Sequence, residues 1–388
     1  LHLKTKSDDL RYSLYFEGVY MNAEVVVNGT STGTQHYGYS SFVRDVTELL
    51  HEGDNEVVVR VDNSQQKNCR WYTGAGIYRH VWFIETADVH FKHWGTFVTT
   101  PVVEQDDMSR VDVKTVIVNE SDRDRVLDMC FKIVQDESIG GGFSSMHSRT
   151  VRVKPHEDLE VSHLFDVPHA HLWSPDTPHL YHATLTISEN NKPIDVTTQT
   201  FGIRSIAFSS EQGFLLNGRP IKLNGGCLHH DNGLLGAAAF DRAEERKAEL
   251  MKAAGFNAVR TSHNHPSTAF LAACDRIGLL VIDEAFDGWR VAKTPHDYSK
   301  YIDQHWRDDL AALVLRDRNH PSIFAWSMGN EVIERKEIQV VTTARKLARY
   351  CRELDPTRPV TSALCAWDSD WEIYDPLAEA FELVGYTY

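Results

Sequence analysis

No stretch of about 18 apolar residues occurs in this 388-residue chain, so no membrane-spanning helix is expected. Basic residues are in deficit: 40 Lys and Arg stand against 55 Asp and Glu, a formal net charge of −15. An acidic surface repels phosphate, which argues against nucleic-acid and anionic-membrane partners. Cysteine is scarce and scattered. Cys69, Cys130, Cys227, Cys274, Cys351 and Cys365 form no C-x-x-C pair and no metal-type spacing, so they read as mostly buried free thiols. Nothing at the start has the makeup of a signal peptide. The chain opens on Leu1 inside a strand-like pattern, so the true N-terminus is expected to be missing. The compartment of this soluble chain, cytoplasmic or periplasmic, stays open, and so does homo-oligomerisation.

What is present suggests two or three folded domains, given the length. Residues 1–92 carry short alternating runs with turn signals between them. Arg11 to Phe16 is one, Ala23 to Val27 ends on the hairpin signal Asn28-Gly29, and Glu56 to Val61 follows another turn. These predict part of a β jelly roll. A dense cluster of aromatic, Arg and Gly residues follows at Asn68 to Arg79. It suits sugar contact, but a structural corner accounts for it more simply. Residues 93–203 hold about seven short strands, among them Val111 to Val118, Met129 to Val134 and Ala183 to Ile187, as in an immunoglobulin-like β-sandwich.

From 204 to 388 apolar runs alternate with helical patterns, as in parallel βα units. The runs are Ile221 to Gly225, Ala258 to Thr261, Leu279 to Ile282, Ile323 to Trp326, Val360 to Ala363 and Leu383 to Tyr386. Helices are predicted at Asp241 to Ala254, at Gln304 to Arg316 and from Val332 onward. The fold expected is multidomain, ending in a (β/α)8 TIM barrel truncated after about six strands.

Polar residues gather after each run: Leu228-His229-His230-Asp231, Arg260 to Pro266, Asp283 to Trp289, Asn330-Glu331, Ala366-Trp367-Asp368 and Tyr386 to Tyr388. Barrel strands deliver chemistry at their carboxyl ends. Carboxylates, imidazoles and indoles together suit a neutral polyhydroxyl ligand. Two readings of Asn330-Glu331 stand side by side: a helix cap with a first-turn acid, or a catalytic pair. His229, His230, His263 and His265 could instead ligate a metal. That rival leaves Asn330-Glu331 and both β domains unexplained.

The chain resembles glycoside hydrolase family 2, and within it the β-galactosidases. The resemblance rests on Arg70-Trp-Tyr-Thr-Gly-Ala-Gly-Ile-Tyr-Arg79, Leu172-Trp-Ser-Pro175, Leu228-His-His-Asp231, Asn257-Ala-Val-Arg-Thr-Ser-His263, Asp283-Glu-Ala-Phe-Asp287 and Trp326-Ser-Met-Gly-Asn-Glu331, in the family's order. It implies retaining hydrolysis of terminal β-D-galactosides by two glutamates, with Glu331 as general acid/base. Substrate contacts are expected from Asn330, His229, His263, Tyr388, Asp283, Arg260, Asp287 and Trp289, while His230 and His265 are expected to be structural. No cofactor is implied. No metal is expected either, because the loop Phe286 to Arg290 offers Asp287 but no histidine. The family's nucleophile follows the seventh strand, so it is expected past residue 388, and residues 1–388 alone are expected to be inactive. β-Glucuronidase is the nearest alternative activity, and a non-catalytic carbohydrate-binding protein the alternative of another class.

Overall fold

A computed structural model describes residues 1–103, 108–136, 142–365 and 374–387. The first domain pairs two antiparallel three-stranded sheets. One is ordered Val81–Ala87, Leu10–Phe16, Phe42–Asp45; the other is ordered Thr30–Gln35, Ala23–Val27, Val57–Val61. Alternation in these strands sends Tyr12, Leu14 and Phe16 inward against Ala23, Val25 and Val27. The Asn28-Gly29 signal is used as expected. Both residues take positive φ, +48° and +83°, and Val27 pairs directly with Thr30.

The second domain is a sandwich. Met108–Asn119 pairs with Glu157–Pro168 on one side and with Phe97–Val103 and Val89–Phe91 on the other. The facing sheet runs Ser144–Val153, Arg125–Gln135, Tyr181–Glu189, Lys192–Phe201. Phe131, Ile133, Leu185 and Phe201 fill the space between the sheets. Val89–Phe91 therefore belongs to this domain by its pairing, a few residues ahead of the boundary at 93 drawn from composition.

The third domain begins with a small antiparallel cap, Ile206–Ser209, Gly213–Leu216 and Arg219–Pro220. Phe214 and Leu216 of the cap close the lower end of a barrel by packing on Ala258, Leu280 and Phe324. Six parallel strands follow in chain order: β1 (Gly225–Leu228), β2 (Ala258–Thr261), β3 (Leu280–Glu284), β4 (Ile323–Asn330), β5 (Val360–Cys365) and β6 (Gly385–Thr387). Helices α1 (Asp241–Ala253), α2 (Thr268–Ile277), α3 (Ile302–Asp317) and α4 (Ile338–Leu354) connect the first five strands. All eight residues of β4 are buried, as a parallel strand covered on both faces must be.

Two elements depart from the sequence pattern. The run at 221–225 precedes β1, because the Ile221 N–H donates to the Phe214 carbonyl at 2.9 Å and ties that segment to the cap. The helix expected from Val332 begins at Ile338. Residues 332–337 form turns, and the Glu334 carboxylate is occupied in accepting the backbone N–H of Arg290 at 2.8 Å.

The jelly roll lies on the end of the barrel where the strands finish. Tyr37 donates its hydroxyl to the Ala285 carbonyl at 2.8 Å, Arg79 reaches the His265 carbonyl at 2.8 Å, and His36 stacks on Tyr301 at 4.2 Å. Tyr20, Tyr37, Tyr39 and Tyr78 belong to the same apolar core as Trp289 and Trp326. The sandwich holds the opposite side, where the Val98 N–H donates to Asn319 Oδ1 at 2.9 Å and Asn319 Nδ2 donates to the Thr96 carbonyl at 3.0 Å.

Burial separates neighbours on one sandwich strand. Phe131→Ala should cost the sandwich about 3–5 kcal/mol in urea unfolding. Val126→Ala, at a residue 57% exposed, should change it by less than about 0.5 kcal/mol.

Candidate active site

Glu284, the last residue of β3, is fully buried and bears four hydrogen bonds. Arg260 donates to Oε2 from Nε at 2.9 Å and from Nη2 at 2.6 Å, Ser327 donates to Oε2 at 2.6 Å, and His263 Nδ1 meets Oε1 at 2.6 Å. Burial works to raise the pKa of this carboxyl. The Arg260 charge and the His263 and Ser327 hydrogen bonds outweigh it and hold the pKa below the usual value. Arg260 also donates to Asn330 Oδ1 at 2.8 Å. The network thus runs from the end of β2 through β3 to the end of β4.

The other half of the Asn330 amide faces Asp287, with Nδ2 donating to Oδ1 at 3.0 Å. Asp287 receives Arg70 of the jelly roll in a fork, 2.6 Å to Oδ1 and 3.2 Å to Oδ2, and Lys293 at 2.8 Å. Burial would raise its pKa, but these cations pull it down to about 2, so it stays ionised. Lys293 also donates to the backbone carbonyls of Asp287 at 2.8 Å and of Asn330 at 2.5 Å. Asn330 is therefore fixed at both amide atoms and at its carbonyl. Arg260, Asp287 and Lys293 leave it no second orientation.

Glu331 follows immediately. Its N–H donates to the Ala363 carbonyl of β5 at 2.7 Å, and its φ is +45°, a left-handed conformation that costs a non-glycine residue about 1 kcal/mol. The helix-cap alternative does not fit, because Asn330 ends a strand and α4 starts seven residues after Glu331. The Gly329 position admits no side chain: an added Cβ would lie 2.8 Å from Trp289 Nε1. Trp289 is buried under β4 and donates to the Met328 carbonyl at 3.0 Å.

Beside this network opens a cleft between the jelly roll and the loop after β3. Tyr37, Tyr39, Asn68, Arg70, Trp71, His263, Asp287, Trp289, Lys293 and Tyr298 are among its walls. Trp71 leans over both histidines, its ring centroid 5.0 Å from His229 and 5.6 Å from His263. Burial and the nearby His263 lower the His229 pKa, which favours the neutral ring. Tyr298 is held from behind, donating its hydroxyl to Asp309, which also accepts Gln35 Nε2 at 2.8 Å.

The structure gathers Arg260, His263, Asp287, Asn330 and Trp289 around one linked network, with His229 beside it. It places Asp283 elsewhere. That side chain is fully buried on the other face of β3, bonded to Thr261 at 3.3 Å and set against Arg316 and Asp317 of α3, so the expectation that it lines the mouth is corrected. Adjacent strand residues point to opposite faces, and it is Glu284 that shares a face with Arg260. His230 packs on Tyr39 and Tyr78, and His265 on Tyr37 and Phe286, away from the His229–His263 pair. Among the described residues no group of three or more metal-type side chains converges. Trp367, Asp368 and Tyr388 lie outside the described residues. Sequence reasoning missed Lys293, and it gave Arg70 and Trp71 to a structural corner although they face the cleft. The aromatic, Arg and Gly cluster at Asn68 to Arg79 was the signal that could have found the latter two.

The model for glycosyl hydrolases family 2 matches residues 89–204, and the model for that family's TIM barrel domain matches residues 208–374. The chain belongs to glycoside hydrolase family 2. It is 37% identical over 410 aligned positions to Beta-galactosidase BoGH2A of Bacteroides ovatus, covering 97% of this chain and 47% of that protein. A family 2 crystal structure from Bacteroides cellulosilyticus superposes with a TM-score of 0.95 at 44% identity, covering 100% of this chain and 49% of that one. The crystal structure of a Bacteroides uniformis β-glucuronidase superposes with a TM-score of 0.88 at 27% identity, covering 100% and 48%. The family 2 chain described here spans about half the length of these relatives.

Asp309 gives the cleft wall a pH dependence. Burial lifts its carboxyl from an ordinary 3.8 to about 6, against the opposing hydrogen bonds of Tyr298, Ser40 and Gln35. A folded pKa above the unfolded one favours the protonated form. The stabilisation is complete below the unfolded pKa and is lost as pH rises through the folded one. Asp309→Asn cannot ionise. Its stability relative to the native protein should therefore rise by about 1 kcal/mol between pH 5 and pH 8 in urea unfolding. A pH-independent difference would contradict this assignment.

Proposed function

We propose that this family 2 chain carries the acid/base half of a retaining exo-glycosidase acting on terminal β-D-galactosides. Glu331 is the general acid/base. The observation that carries the reading is the end of β4, where Asn330 is held through both amide atoms and Glu331 follows on a left-handed turn pinned to β5. Backbone strain of this kind persists where the surroundings over-determine it, and it clusters at active sites.

In the first step Glu331 protonates the departing glycosidic oxygen while a second carboxylate attacks the anomeric carbon. In the second, Glu331 takes a proton from water, which hydrolyses the glycosyl–enzyme bond. Asn330 meets the sugar 2-hydroxyl. His229 and His263 meet other hydroxyls, and Trp71 offers an apolar face. Retention requires two carboxyl groups about 5–5.5 Å apart. Glu284 is unsuited as the second, because all its bonding capacity on the Arg260 side is taken and it is fully buried. Asp287 is clamped by Arg70 and Lys293. The nucleophile is proposed to be the glutamate that the resemblance to the family implies after a seventh strand.

A galactoside is favoured over a glucuronide on charge. A carboxylate-bearing sugar needs a cation, and the two Arg or Lys side chains among the described residues lining the cleft are both engaged by Asp287. The likeness to Beta-galactosidase BoGH2A supports the same choice, while the likeness to a β-glucuronidase keeps that activity as the second reading.

Glu331→Gln in the full-length protein should retain the fold and sugar affinity. It should lose about 10²–10⁴-fold in kcat/KM on an alkyl or phenyl β-galactoside, the usual worth of general acid catalysis. Azide should restore turnover of a dinitrophenyl β-galactoside. Undiminished activity, or no rescue with the activated substrate, would overturn the assignment. Turnover of aryl β-glucuronides faster than aryl β-galactosides would select the second reading.

A further inference from the structure

Lys293 has no part in the chemistry just described, yet it touches the backbone on which that chemistry depends. It sits in the loop between β3 and α3, with a side chain only 6% exposed. An ammonium has three protons to donate. All three find acceptors: the Asn330 carbonyl at 2.5 Å, the Asp287 carbonyl at 2.8 Å and Asp287 Oδ1 at 2.8 Å. The first of these is the carbonyl of the peptide that leads into Glu331. The peptide N–H on the same link donates to the Ala363 carbonyl of β5 at 2.7 Å. Both polar atoms of the Asn330–Glu331 peptide are therefore held, one by Lys293 and one by β5. That fixes the plane from which the left-handed Glu331 departs, at φ +45°.

The charge arrangement fits a positioning role. Asp287 neutralises Lys293 directly, and Arg70 fixes Asp287 from the jelly roll. The ion pair leaves the Lys293 hydrogen bond to the Asn330 carbonyl in place.

We propose that Lys293 is a positioning residue for Glu331, acting through the Asn330 carbonyl it holds. The proposal rests on the acid/base reading of Glu331. It predicts a defect with the signature of a misplaced acid. In the full-length protein, Lys293→Met should lower kcat/KM by about tenfold to a hundredfold for substrates with poor leaving groups, the scale expected for a misplacement of about 1 Å. For dinitrophenyl β-galactosides, which need no acid to depart, kcat/KM should be nearly unchanged. Lys293→Arg, which keeps the charge and donors, should recover part of the loss. A fall that is equal for good and poor leaving groups, or one confined to KM, would overturn the proposal, and so would no fall at all. If Lys293→Met does not fold, as judged by its thermal unfolding midpoint, the leaving-group comparison on Lys293→Arg decides in its place: a selective loss for poor leaving groups supports the proposal and an unselective one overturns it. Glu331→Gln measured alongside separates the two claims. Loss of leaving-group selectivity in Lys293→Met alone refutes the role of Lys293. Its loss in Glu331→Gln as well refutes the acid/base reading beneath it.

Discussion

One carboxylate, that of Asp287, joins the three parts of the chain that must agree for a site to exist. It takes Arg70 from the jelly roll, Lys293 from the loop after β3 and the Asn330 amide from β4. Lys293 and Asp287 form a largely buried pair, and removing one partner from such a pair generally costs about 3–5 kcal/mol, because the other charge is left unpaired. Arg70, with its side chain 38% exposed, joins them from the surface. The jelly roll sits where it does partly because its arginine is needed there, and the aromatic residues beside that arginine form the cleft wall as a consequence. A second carboxylate, Glu284, does the same work deeper in the barrel for Arg260, His263 and Ser327. Asn330 lies between the two and answers to both.

This layout gives the two β domains different places against the barrel. A barrel strand can present an acid without help. Here, however, one wall of the cleft comes from Tyr37, Tyr39 and Trp71, all residues of the first domain. Among the described residues, none of the sandwich lines the cleft. It braces the lower end, where Asn319 accepts from the Val98 N–H and donates to the Thr96 carbonyl.

Much of this was legible in the residues themselves. The period-2 runs marked the sandwich strands, the Asn28-Gly29 pair marked a hairpin of the jelly roll, and Asp241 announced α1 at the correct residue. The motifs at the ends of β2, β3 and β4 pointed to Arg260, His263, Asp287 and Asn330, which the structure links in one network. What could not be read has physical reasons. Asp283 and Glu284 are neighbours of like charge, and only the register of β3 against β2 decides which one faces Arg260. Lys293 lies in an irregular loop without periodicity, and its worth comes from a backbone carbonyl 37 residues later in the chain. Arg70 and Trp71 looked like the filling of a corner because a tight Gly-rich turn and a sugar wall use the same residue types. Val332 to Glu337 kept a helical composition, but Glu334 was needed to hold the loop at Arg290.

The central claim is that the acid at the end of β4 reaches the bond that breaks. The most direct measurement is a crystal structure of the full-length protein with an uncleaved thio-linked β-galactoside. The account predicts that the bridging sulfur lies within about 4 Å of the Glu331 carboxylate, and that Asn330 Nδ2 lies within hydrogen-bond distance of the sugar 2-hydroxyl, about 2.7–3.2 Å. A ligand seated with its bridging atom beside another carboxylate, and Glu331 turned away from it, would contradict the account.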